Sequence, residues 1–179
     1  FSLGGFLGSG GGVGVVGSAA SISGKKLGPL IDSHDLVVRI NRGMDDLDPE
    51  CTGTKTDVLT ISMIHKDFFV RSLKMVKLFF IRTEVVLMSP SSQFLDHDFG
   101  FVSLGYFLNC YPRRHFDRLS ESIGSKPSTG IMTIDMFSQI LETERLHLYG
   151  FDFHETHNRQ LGNHGKSHDW ASEKRYVHA

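Results

Sequence analysis

Six of the ten histidines of this 179-residue chain lie from His147 onward. Four of these fall in a polar run: His154-Glu155-Thr156-His157, then His164, then His168-Asp169-Trp170-Ala171-Ser172-Glu173. Three readings of this run stay open. Imidazole titrates near neutral pH, so His168 suits a general base that Glu173 orients or stabilises. Four histidines in one short loop also suit zinc, although His154 and His157 stand three apart without an H-E-x-x-H frame. Exposed loop histidines are the third reading.

Other polar groups sit where ligands are commonly held. Lys126-Pro127-Ser128-Thr129-Gly130 opens a helical pattern, and two hydroxyls with a glycine at a helix N-terminus make either an anion site or a plain cap. Asn41 follows an apolar run and is either a hydrogen-bonding group for a polar ligand or a turn former before Gly43. Gly17-Ser18-Ala19-Ala20 follows another such run. Small residues there let backbone amides approach a phosphate, or simply make a tight turn. Gly12 and Gly14 fit a G-x-G-x-x-G pattern, but Gly17 ends the strand, so the register does not serve a dinucleotide. Asp46-Leu47-Asp48 has the form of an acidic metal-nucleotide clamp or of a solvated loop.

The elements that must position these groups are legible as apolar runs. Residues 13–17, 36–40, 57–61, 76–81, 85–88 and 146–149 read as strands, nearly continuous rather than alternating. Strands covered on both faces read this way, which favours a mostly parallel sheet. Between them, Ile131, Ile134, Phe137 and Leu141 make one apolar helical face over about residues 128–141. Residues 112–123 and 169–177 are weaker helical stretches. Strands alternating with helices predict an α/β fold, a single Rossmann-like domain over 13–179 with its sheet flanked by helices. Eight of the 19 glycines fall within the first 17 residues, so residues 1–12 read as a flexible, glycine-rich lead-in.

Composition narrows the function. Nineteen Lys and Arg against 20 Asp and Glu give a formal charge of -1, which excludes nucleic-acid binding by bulk charge. With 40% apolar and 22% charged residues the chain is not of the disordered class. No apolar run of 18 residues exists to span a bilayer. Cys51 and Cys110 are too few for a disulfide framework. Phe1 in place of Met reads as a fragment or a processed form.

Taken together, three ordered blocks resemble the eukaryotic-type sialyltransferase family, glycosyltransferase family 29. Residues 15–56 look like its large sialylmotif, with Gly-Pro-Leu-Ile-Asp-x-His-Asp-x-Val-x-Arg-x-Asn running from Gly28 to Asn41 and Gly-x-Lys-Thr from Gly53 to Thr56. Residues 126–151, KPSTGIMT…LHLYGF, look like the small sialylmotif, and His168 to Glu173 match the very short His-x4-Glu motif.

The resemblance implies a glycosyltransferase domain of a GT-A-like variant that moves sialic acid, or a related 3-deoxy-ulosonic acid, from a CMP donor to a glycan hydroxyl, with inversion. It implies CMP-sialic acid as donor substrate, no cofactor and no metal. The acceptor is a glycan on glycoprotein, glycolipid or oligosaccharide. Asn41 would contact the nucleotide, with Ser128, Thr129, Gly130 and Gly150 lining the CMP pocket and Gly17 and Ser18 beside it. His168 would be the base, and either His154 or His157 would face the donor phosphate. Three departures stand out. Gly17-Ser18-Ala19-Ala20 replaces the usual Gly-Asn-x-Gly, the stretches equivalent to the family's bridged motifs lack cysteine, and residues 57–125 are compressed. These departures keep open an alternative, a catalytically weak or inactive CMP- and glycan-binding protein. Family precedent implies the Golgi lumen behind an upstream membrane anchor; the missing anchor and cysteines suit the cytoplasm instead.

Overall fold

The computed structural model describes residues 12–45, 47–62, 84–88, 108–141, 145–153, 155 and 168–179. Six strands form one sheet: β1 (Val13–Val16), β2 (Leu36–Ile40), β3 (Val58–Ile61), β4 (Glu84–Leu87), β5 (Leu108–Cys110) and β6 (Leu146–Tyr149). Their order is β5-β4-β3-β2-β1-β6, and every pairing is parallel. β1–β3 are buried throughout, as continuous apolar strands should be when both faces are covered. The expected α/β class and parallel sheet are both present. β5 was not expected, because three residues carry too little periodicity to announce a strand. The apolar run at 76–81 and residues 1–11 of the 1–12 lead-in lie outside the described residues.

The chain moves outward from β1 to β5 and then returns to place β6 on the other side of β1. The direction of winding therefore reverses at β1, and in open parallel sheets ligands occupy the crevice beyond the strand C-termini at such a point. The two sides of β1 meet different layers. Val13 and Val15 face a large core with α2 (Arg113–Ile123), α3 (Thr129–Ser138) and α4 (Trp170–Val177). On the opposite face Val16 and Val37 pack with Ile22 and with Ile31 of the short helix α1 (Gly28–Asp32). The glycines at 12 and 14 serve this second face. A Cβ on Gly14 would lie 2.6 Å from the His34 ring, so the bare backbone admits an imidazole rather than a phosphate.

α3 is the central helix. Ile131, Ile134, Phe137 and Leu141 are buried as their spacing predicts, and so are Met132, Thr133 and Asp135. Asp135 is a carboxylate only 1% exposed. It accepts hydrogen bonds from Tyr111, Arg118, Gln139 and Tyr176, four donors that join α2, α3, α4 and the end of β5. A buried charge persists only when paired and fully hydrogen-bonded. Burial raises the Tyr176 hydroxyl to about 12 and pushes Tyr111 up further, so both remain proton donors at neutral pH.

Two substitutions test this arrangement. Asp135→Ala leaves the buried Tyr111 hydroxyl without its acceptor, while half-exposed Arg118 and exposed Gln139 turn to water, and should lower the unfolding free energy by about 1–3 kcal/mol in chemical denaturation. Tyr176→Phe removes one donor and should cost about 1 kcal/mol.

Candidate active site

The C-terminal edge of the sheet is drawn together by glycines. A Cβ on Gly17 would lie 2.5 Å from the Gly150 carbonyl oxygen and 3.2 Å from the Phe151 ring. Gly150 has φ +67, a conformation that favours glycine, and a Cβ there would sit 3.0 Å from the Gly17 oxygen. Gly17 N donates to Tyr149 O at 2.8 Å and Ala19 N to Gly150 O at 3.1 Å. The Gly17 amide is thus committed to the β1–β6 ladder, and closeness of two backbones is what its missing side chain provides. Gly130 brings the N-terminus of α3 against the same aromatic ring, since its Cβ would lie 3.2 Å from Phe151. Gly17, Gly130 and Gly150 therefore meet around Phe151.

At the start of α3, Ser128 is the N-cap, and its Oγ accepts from Ile131 N at 3.2 Å. The hydroxyl proton goes to Glu173 Oε2 at 2.7 Å, while Ser128 N donates to Oε1 at the same distance. Ser128 is consequently a buried structural joint. The Thr129 and Gly130 amides belong to the first turn of the helix, whose N–H groups have no carbonyl within the helix to receive them. They face the end of the helix where its dipole favours an anion.

His168 reaches the same segment from the other side. Its Nδ1 lies 2.9 Å from Lys126 O, and its ring meets Trp170 edge-on with centroids 5.2 Å apart. A carbonyl only accepts, so Nδ1 carries a proton, and in the neutral ring Nε2 then carries the lone pair. That is the tautomer a general base requires. Glu173 and His168 both grip residues 126–128, His168 at Lys126 and Glu173 at Ser128. α4 holds this grip in register through its own cap, Asp169, which accepts from Ser172 N at 3.0 Å and Ser172 Oγ at 2.7 Å. The bonds from Ser172 hold the Asp169 carboxyl below the usual range.

Asn41 lies at the C-terminus of β2 with φ +51, which Asn tolerates better than most residues. Its backbone N–H donates to Thr60 O at 2.7 Å. Ser62 and Phe151 were not anticipated as parts of this region. Ser62 carries no motif signal at all, and Phe151 closes the Tyr-Gly-Phe stretch without itself pointing to a ligand.

Several residues of the first motif serve the scaffold. Asp32 accepts from the Thr54 and Lys55 amides at 2.9 Å each. Buried Arg39 donates to Thr56 Oγ1 at 2.9 Å and Thr52 O at 3.0 Å. Gly28 admits the Pro49 carbonyl, which a Cβ would meet at 2.0 Å. Asp48 turns its loop by accepting from Glu50 N and Cys51 N. Asp46, His154, His157 and His164 lie outside the described residues. Among the described residues no group of three or more His, Cys, Asp or Glu is placed to hold a metal, and Cys51 is a free thiol.

Glu173 gives the site a measurable pH signature. Burial raises its carboxyl above the usual 4.5, with the two Ser128 bonds opposing. A raised folded value favours the protonated form, so its stabilising contribution is full below about 4.5 and fades as pH rises through the elevated value. Glu173→Gln cannot ionise. The variant should lose this part of the decline in stability between about pH 4.5 and neutrality, as measured by denaturation at a series of pH values.

The family model described as glycosyltransferase family 29 (sialyltransferase) matches residues 14–179. No curated protein matches the chain. Among solved structures it is similar to a mammalian sialyltransferase at 16% identity and a TM-score of 0.62, covering 95% of this chain and 65% of that one. It is likewise similar to a mammalian sialyltransferase in complex with Gal-beta-1-3GalNAc-ortho-nitrophenol, at 17% identity and a TM-score of 0.58, covering 93% of this chain and 64% of that one. The chain thus spans just under two thirds of the length of these structures. At such identities the likeness is one of fold, and the fold agrees with the family match over nearly the whole sequence. The ordered motifs, the parallel sheet and the matched model converge: the chain belongs to glycosyltransferase family 29, the sialyltransferases.

Proposed function

We propose that this protein transfers sialic acid, or a related 3-deoxy-ulosonic acid, from a CMP-sugar to a glycan hydroxyl with inversion. One observation carries the reading. His168, with its proton on Nδ1 and its lone pair on Nε2, is bonded to Lys126, three residues before the first amides of α3. A base and an anion-favouring helix end are thereby built into one segment.

The chemistry follows from that pairing. The bond between the sugar's anomeric carbon and the donor phosphate breaks, and its electron pair leaves on the phosphate. The Thr129 and Gly130 amides and the α3 dipole stabilise the departing anion. The sugar passes through an oxocarbenium-like state. On its opposite face the acceptor oxygen attacks the anomeric carbon and its proton goes to His168 Nε2. Asn41 and Gly150 complete the nucleotide pocket in this reading, with Gly17 and Ser18 beside them. Either His154 or His157 faces the phosphate. No cofactor or metal enters the proposed mechanism. The acceptor is a glycan, and the Gal-beta-1-3GalNAc compound bound to one structural neighbour makes that disaccharide the first acceptor to try. Family precedent makes the Golgi lumen the proposed compartment. Among the described residues no helix is long and apolar enough to cross a membrane.

One observation favours the weakly catalytic alternative. The Gly17 amide is spent on Tyr149 O, and Ser18 stands where the family usually has Asn. Turnover separates the two readings, because a binder holds CMP without releasing it from the CMP-sugar.

Titration of the purified chain with CMP, using UDP and AMP as controls, should show selective CMP binding. Equal affinity for all three would mean that the donor site has been lost. His168→Ala should lower transfer roughly 10²–10⁴-fold while leaving CMP affinity unchanged. Wild-type transfer by that variant would remove His168 from the role of base.

A further inference from the structure

The Asn41 side chain owes its orientation to a residue outside all three motifs. Asn41 Oδ1 accepts from Ser62 N at 2.9 Å and from Ser62 Oγ at 3.2 Å. A backbone N–H only donates, so the amide oxygen must face Ser62 and Nδ2 must face away. Asn41 therefore offers a ligand N–H donors and no lone pair. Ser62 is 8% exposed and follows β3 directly, so its place is fixed by the sheet. Two residues earlier on the same strand, the Thr60 hydroxyl lies 2.8 Å from that of Thr133 in α3. The end of β3 thus registers two separate parts of the pocket, the α3 helix through Thr60 and Asn41 through Ser62.

We infer that Ser62 is a positioning residue for donor binding: it locks the Asn41 amide so that Nδ2 meets an acceptor oxygen of the CMP moiety. This rests on the CMP-sugar reading above. The oxygen belongs either to the phosphate or to the nucleoside, and each accepts from a donor at this point. A ground-state contact of this kind changes affinity for the donor and leaves the chemical step alone.

The test is calorimetric titration of the full chain with CMP, using wild type, Ser62→Ala and Asn41→Asp. Ser62→Ala retains one of the two locking bonds and should weaken CMP binding about three- to tenfold, with KM for the CMP-sugar rising in step and kcat unchanged. Asn41→Asp keeps both bonds from Ser62 but turns a carboxylate oxygen to the ligand. It should weaken binding by at least about tenfold at neutral pH and recover relative to wild type as pH falls through the carboxylate range, because the protonated acid regains a donor. A purely structural role for Asn41 would not produce that recovery. Cytidine as a second probe assigns the oxygen: a Ser62→Ala effect shared by cytidine points to the nucleoside, and one confined to CMP points to the phosphate. Wild-type affinity in both variants would overturn the inference while leaving the CMP reading intact. Failure of the wild-type chain to bind CMP would overturn both.

Discussion

Asp135 is a full negative charge placed where water cannot reach it, and the helical layer is arranged to keep it paired. Two tyrosines, an arginine and a glutamine converge on one carboxylate. They come from α2, α3, α4 and the end of β5, so these pieces cannot shift independently without stripping a partner from a buried ion. The cost of doing so is about 1–3 kcal/mol for each partner lost. α4 inherits its position from this constraint through Tyr176, and the chemistry follows from where α4 lies. Glu173, on the same helix, reaches Ser128, and His168, just before the helix, reaches Lys126.

The sheet supplies the second constraint. Because the winding reverses at β1, the C-termini of β1 and β6 lie side by side and must approach closely. Gly17 and Gly150 permit a backbone contact that any Cβ would prevent. The same closeness brings Phe151 against Gly130 and so joins the sheet edge to the start of α3. Glycines that look in sequence like a phosphate loop are in part a means of packing two strand ends and a helix end around one ring.

The strands and helices were largely legible. Continuous apolar runs marked β1, β2, β3 and β6, and the Ile131–Leu141 spacing marked α3. Asp135 was not legible, because an aspartate inside an apolar helix gives no local sign of the donors that will surround it. The candidate site was legible in type and less so in wiring. His168, Glu173 and Ser128 stood out by motif, yet the motifs gave no sign that Glu173 would bond Ser128. Ser62 was invisible, since a serine after a strand is common and its partner, Asn41, lies 21 residues earlier.

The sequence by itself determined the period of the longer elements, the cap of α3 and the family to which its motifs belong, because those are written in residue type at short spacing. The tertiary structure alone decided which polar groups meet. Sequence order does not say that His168 and Glu173 will clasp a segment some 40 residues away, or that the proton of His168 will sit on Nδ1. Such contacts arise when strands of a parallel sheet, joined by long crossovers, bring distant stretches to one edge. Burial then leaves each polar atom only the partners it finds there.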